Sequence, residues 1–221
     1  MIIRQRAMQA EDKQERRDAI LDAAERMLLR SADHIANVAE VADEAGLAKG
    51  TVYLYFPSKE ELLLALHERN IDGFFRALIA LLERAQAVGI DDVLALTHEH
   101  MVEPPLFLPL ATRCFAHMSQ SVPAEAGMAF KRRLGERLAG AGAGLEHHFR
   151  DLPPGGGVVL LRHSYALILG LWQLSGAQQC SNTPPEHALF DWSYTDSIDA
   201  ALRALWQGSV GPQALATGRT S

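Results

Sequence analysis

The sequence predicts an all-α protein: an N-terminal three-helix domain folded as a helix-turn-helix, then a larger C-terminal helical domain, roughly nine helices in all. Three observations carry that expectation. Residues 36–63 read A-N-V-A-E-V-A-D-E-A-G-L-A-K-G-T-V-Y-L-Y-F-P-S-K-E-E-L-L, two short helical segments folded at a glycine and followed at once by the start of a third. From Ser58 to about Ala87 apolar residues recur at helical spacing without a break. Beyond Gly89 five more stretches read as helices between Pro- and Gly-containing breaks.

Taken in order, residues 1–12 read as a loose arm bearing Arg4 and Arg6, with no apolar stretch of signal-peptide length. A helix follows from about Lys13 to Arg30, with Ile20, Ala24, Met27 and Leu28 as its inner stripe. Arg16 and Arg17 lie away from that stripe, where they suit either phosphate contacts or a solvated charged face. Ser31 to Ala36 is a linker.

Asn37 is a favourable N-cap, and Glu40 three residues on completes a capping box. Val38, Val41, Ala42 and Ala45 form a small apolar face, and Gly46 stands where a helix end needs a left-handed residue. A second short helix from about Ala48 buries Val52 and Phe56. It leaves Lys49, Gly50, Thr51 and Tyr53 on the open side, the arrangement of a helix that enters a major groove. Gly50 removes a side chain where a backbone must come close. Lys49 and Thr51 reach for base edges or phosphates, and Tyr53 and Tyr55 offer rings for thymine methyls and hydroxyls for phosphate oxygens. Pro57 ends this helix and Ser58 caps the next. Lys59 then sits at a helix N-terminus, where free N–H groups and an ammonium both favour a phosphate.

T-V-Y-L-Y-F-P-S-K-E-E-L resembles the signature T-x-Y-x-Y/H-F-x-S/N-K-x-x-L, which closes the DNA-binding domain of TetR-family transcriptional regulators. The resemblance covers about Arg16 to Leu66. It implies an all-helical homodimer that binds a pseudo-palindromic operator in double-stranded DNA. It also implies a C-terminal domain that takes a small-molecule effector. Residue by residue it points to DNA contacts from Lys49, Gly50, Thr51, Tyr53, Tyr55 and Lys59. Many members carry Thr, often on a phosphate, where Asn37 stands here. The expected division is residues 1–58 for DNA binding and 59–221 for effector binding and dimerisation.

The helix starting at Ser58 would be roughly 40 Å long at ~1.5 Å per residue, with Gly73 as a point for a bend. The five later helices are expected over Asp91–Val102, Pro105–Gln120, Pro123–Arg150, Gly156–Gln178 and Pro185–Gln207. Gly135, Gly140, Gly142 and Gly144 weaken the third of them. Val158 to Leu174 is apolar nearly all round, but Arg162 and His163 interrupt it and leave less than the ~20 residues of a membrane span. It reads as a buried helix. In a TetR-like chain the last two long helices pair with their mates as a four-helix bundle, which would put Leu171, Trp192 and Trp206 at a dimer interface. The same resemblance places Phe107, Arg113, His117, Met118, His163, Tyr165 and Trp172 in the effector domain, and apolar pockets with a few polar anchors take such residues. Met and aromatic residues at helical spacing serve equally as plain core.

The 221 residues are 48% apolar and 22% charged, an ordinary globular composition, and the net charge of −6 means that any DNA-binding surface must be local. Two cysteines, Cys114 and Cys180, fit a reducing cytoplasm better than a disulfide scaffold. His98 and His100 do not share a helix face, nor do His147 and His148, and no Cys/His spacing suits zinc, so neither metal nor cofactor is expected. The sequence contains no G-x-S-x-G, P-loop or G-x-G-x-x-G motif, which argues against an enzyme. The leading expectation is a repressor released from DNA by a ligand. The alternative is a constitutive DNA-binding protein with no effector.

Overall fold

Helix formers without Gly or Pro fill the first 30 positions, and the chain is helical there almost from its start. The computed structural model describes residues 2–30, 37–84, 86–117, 122–179 and 192–211, with the backbone alone at 2–10, 115–117 and 176–179. Among these residues there are nine α-helices, one π-helix and no strand. The chain divides into two compact units, Met1–Arg69 with Arg113–Gly127, and Asn70–Thr112 with Met128–Ser221.

The first unit is organised by α1 (Ile2–Arg30), α2 (Val38–Ala45), α3 (Lys49–Tyr55) and the first part of α4 (Lys59–Leu82). The loose arm expected over residues 1–12 is instead the first part of α1. Nothing in R-Q-R-A-M-Q-A-E-D-K breaks a helix, and most of it favours one. Ile20, Leu21, Leu28, Val41, Val52 and Leu66 are buried together, each worth about 1.5–3 kcal/mol of apolar burial. Ion pairs fix the helices from outside. Arg26 and Arg30 of α1 both grip Glu44 of α2, and Arg69 of α4 grips Asp22 and Glu25 of α1. The hydrogen bond from Arg30 holds the Glu44 carboxyl below its usual range.

The second unit contains the rest of α4, α5 (Ile90–Thr97), a π-helical turn His98–Val102, most of α7 (Ala124–His148), α8 (Gly156–Gln179) and α9 (Tyr194–Val210). α6 (Phe107–His117) and the start of α7 pass through the boundary between units. Asp92 closes the head of α5 by accepting the Gly89 N–H at 2.8 Å. At the π turn the Glu103 N–H reaches back five residues to His98 at 2.9 Å, and just before it the Thr97 hydroxyl donates to the Val93 carbonyl at 2.8 Å. Pro104 and Pro105 follow and have no N–H to resume the ladder.

Of the four glycines expected to weaken α7, Gly142 and Gly144 are needed by its packing, while Gly135 and Gly140 face open space. A β-carbon on Gly142 would meet Val158 Cγ2 at 2.6 Å, one on Gly144 would meet Leu82 Cδ1 at 2.9 Å, and one on Gly157 would land on the Gly142 carbonyl. α7 and α8 therefore cross backbone to backbone. α9 lies along α8 and carries Trp206, whose indole N–H donates to Ser164 Oγ at 3.0 Å and whose ring meets Phe149 edge-on at 5.9 Å. With 1% of its surface exposed, Trp206 has no face left for a second copy of the chain. Its expected place at a dimer interface is corrected to the core, because its polar edge finds a buried hydroxyl within the same chain.

Candidate nucleic-acid interface

The helix-turn-helix is held by its two ends and its one turn. Asn37 Oδ1 accepts the Glu40 N–H at 3.0 Å, and Asn37 Nδ2 donates to the Glu40 carboxylate at 2.6 Å. This is an N-cap with the amide engaged at both ends, so the Asn37 side chain is committed to the helix before it meets any phosphate. Gly46 has φ 67 and ψ 29, and the Leu47 N–H reaches the Ala42 carbonyl while that of Gly46 reaches Asp43. That pair of bonds is a Schellman close, which needs a left-handed residue where Gly46 stands. Ser58 caps α4 in the same way: its Oγ accepts the Glu61 N–H at 3.1 Å and donates to the Glu61 carboxylate at 3.2 Å.

Within α3 one face is fixed by burial. Val52 is fully buried, and Phe56, just past the helix end, is nearly so. Arg17 from α1 lies with its guanidinium over the Phe56 ring, 5.4 Å from the centroid. This cation–π contact pins the end of α3 to α1, a use of Arg17 that spacing alone did not reveal. Arg16 is exposed. The opposite face of α3 is open: Lys49, Gly50, Tyr53 and Leu54 are exposed, while Thr51 and Tyr55 flank them half-buried. Lys49 stands 4.0 Å from Asp43, both well exposed, a pair too loose and too wet to hold the lysine back from a phosphate. Lys59 opens α4, half-buried, beside Glu60 and Glu61 in the same first turn.

The residues expected around an effector are more scattered. Phe107 is fully buried and meets Tyr165 edge-on at 6.4 Å, and Trp172, one heptad beyond Tyr165 on α8, meets Tyr194 at 5.4 Å. His163 is exposed rather than inside, Arg113 is half-buried in the segment belonging to the first unit, and Leu171 and Trp192 are half-buried. The His117 side chain and Met118 lie outside the described residues, as do Cys180, Leu189 and the tail beyond Gly211. Burial pushes the Cys114 thiol up to about 12, so it stays protonated and unreactive at neutral pH.

Residues 20–66 match the family described as bacterial regulatory proteins, tetR family, and residues 68–212 match the tetracyclin repressor-like C-terminal domain. The chain is 36% identical over 59 residues to the fatty acid metabolism regulator protein of Bacillus subtilis, covering 27% of this chain and 30% of that one. It is 30% identical over 122 residues to the transcriptional repressor KstR of Mycolicibacterium smegmatis, covering 52% of this chain and 58% of that one. The matched stretches thus span less than a third and just over half of those two relatives. The fold is shared with SmeT, the repressor of the Stenotrophomonas maltophilia multidrug efflux pump SmeDEF, with a TM-score of 0.56 at 23% identity over 93% of this chain and 95% of that one.

Proposed function

The chain belongs to the tetR family of bacterial regulatory proteins, and from that premise we propose that it is a cytoplasmic, homodimeric transcriptional repressor released from a pseudo-palindromic operator by a small molecule. One observation carries the DNA-binding part. α3 buries Val52 and Phe56 and turns Lys49, Gly50 and Tyr53 outward on a helix whose C-terminal end Arg17 pins to α1. Tyr53 and Thr51 read base edges; Lys49, Tyr55 and Lys59 hold phosphates; Arg16 adds a charge on α1.

Dimerisation finds support on α8. It is long and apolar enough to cross a membrane by length and composition, yet only 28% of its apolar window is buried within one chain. Its outward stripe includes Ala166, Gly170 and Leu174, and that of α9 is Ala200, Ala204 and Gly208. Small residues four apart let paired helices approach closely, and covering this face with a second copy accounts for an apolar helix better than a bilayer does, given the exposed Arg162 and His163. The half-buried Leu171 and Trp192 border that seam. We infer an effector site around Tyr165 and Trp172 of α8, half-buried aromatic residues that meet Phe107 and Tyr194 edge-on.

Selection of bound sequences from random duplex DNA tests the reading. It should return a pseudo-palindrome whose half-sites lie ~34–36 Å apart. A compound screen against that complex should then find a ligand that releases it. By linkage the operator must weaken ligand binding by the same factor, typically ~1–3 kcal/mol of coupling. An operator with no releasing compound, and ligand affinity unchanged by DNA, would leave a constitutive binder. No selected sequence at all would refute the DNA-binding reading.

A further inference from the structure

The outward pole of α3 is occupied by two residues, Gly50 and Leu54. At roughly 100° per residue, each stands about 160° around the helix from the buried Val52, one on either side of the opposite pole. They are one turn apart and form the ridge that would go deepest into a groove. A β-carbon on Gly50 would meet nothing within 4 Å. Leu54 is 86% exposed, more than any other large apolar side chain among the described residues. A single exposed leucine is ordinary on a protein surface. Its register on α3 is what gives this one meaning.

An isobutyl group neither donates nor accepts a hydrogen bond, so it cannot read the N7, O6, O4 or amino groups of a base edge. One base in the major groove presents an apolar group, the C5-methyl of thymine. Gly50, with no side chain, lets the helix axis approach until Leu54 touches the floor of the groove. Its neighbour Tyr53 is left to reach sideways. We propose that Leu54 is a specificity-determining residue that reads the methyl of one thymine in each operator half-site. The assignment rests on the DNA-binding reading above and adds the chemistry of one base position.

The test uses full-length protein and its selected operator, with each thymine replaced singly by deoxyuridine, which lacks only the methyl. For the wild-type chain one thymine per half-site should lose about fourfold in affinity on replacement, and roughly fifteenfold when both half-sites are changed, from one methyl-sized apolar contact each. Leu54→Ala, which removes no buried contact, should keep its melting temperature, bind the thymine operator that much more weakly, and be indifferent to uridine at that position. Wild-type indifference to uridine everywhere would overturn the assignment, as would a uridine penalty that persists undiminished in Leu54→Ala. Failure to select any operator would overturn the parent reading along with this one; the other two outcomes overturn this one alone.

Discussion

Gly50 on α3 and Gly142 on α7 are both helical glycines, in surroundings of opposite kind. Around Gly142 the chain closes completely: a β-carbon would strike Val158, and the partner Gly157 meets the Gly142 backbone itself. Around Gly50 there is open space. The first glycine is required by the fold, since two helix backbones cannot approach so closely past a methyl group. The second is required by nothing inside the chain. Sequence propensity treats the two alike, as helix weakeners; only the contacts separate a packing glycine from one that leaves room for something else.

The largest expected effect tests the closed region. Gly157→Ala should destabilise the chain by about 3 kcal/mol or prevent folding, because the added methyl meets backbone rather than a side chain that can swing aside. Urea denaturation measures it, and a loss under about 1 kcal/mol would mean that the α7–α8 crossing relaxes readily.

The open region is tested next. Tyr53→Ala should cost about 1–3 kcal/mol on the selected operator and much less on random DNA. Lys59→Ala should weaken both alike and flatten the salt dependence by about one unit of slope. Filter binding at several salt concentrations resolves the two. Equal losses for Tyr53→Ala on both DNAs would take it out of the base-reading set.

The third prediction asks whether the inside of the first unit is as closed as the α7–α8 crossing. His67 is fully buried, and burial pushes its imidazole down to about 4 from an ordinary 6.5. Between those values the unfolded chain binds a proton that the folded chain refuses, so stability falls as pH drops through that window. The loss should reach roughly 2 kcal/mol by pH 5. Denaturation curves at pH 7 and pH 5 should show it, and His67→Leu should flatten the difference. An equal pH dependence in His67→Leu would place the titrating group elsewhere.

Much of this arrangement was legible in the residues themselves. Asn37, Gly46 and Ser58 announce helix ends because capping is local chemistry, settled within three or four residues. Helical spacing between Pro- and Gly-containing breaks located α7 and α8 to within two residues at each end. What escaped depends on neighbours distant in sequence. Trp206 turns inward because Ser164, 42 residues earlier, takes its N–H. Arg17 covers Phe56 rather than standing free on α1. The π turn at His98 is closed by the Glu103 N–H reaching the His98 carbonyl, a backbone register that periodicity does not show. Leu54 is one apolar letter beside Tyr53 in the sequence, and only its exposure opposite Val52 marks it.

The central claim, that the open face of α3 enters a major groove, is tested most directly by Gly50→Ala with stability and operator affinity measured side by side. Nothing in the fold opposes the methyl, and alanine is the better helix former, so the melting temperature should hold or rise, by up to about 1 kcal/mol of added stability. Affinity for the selected operator should fall by about tenfold, equivalent to ~1.4 kcal/mol, as the helix is held off the groove floor. A chain equally or more stable that binds its operator with undiminished affinity would contradict the claim.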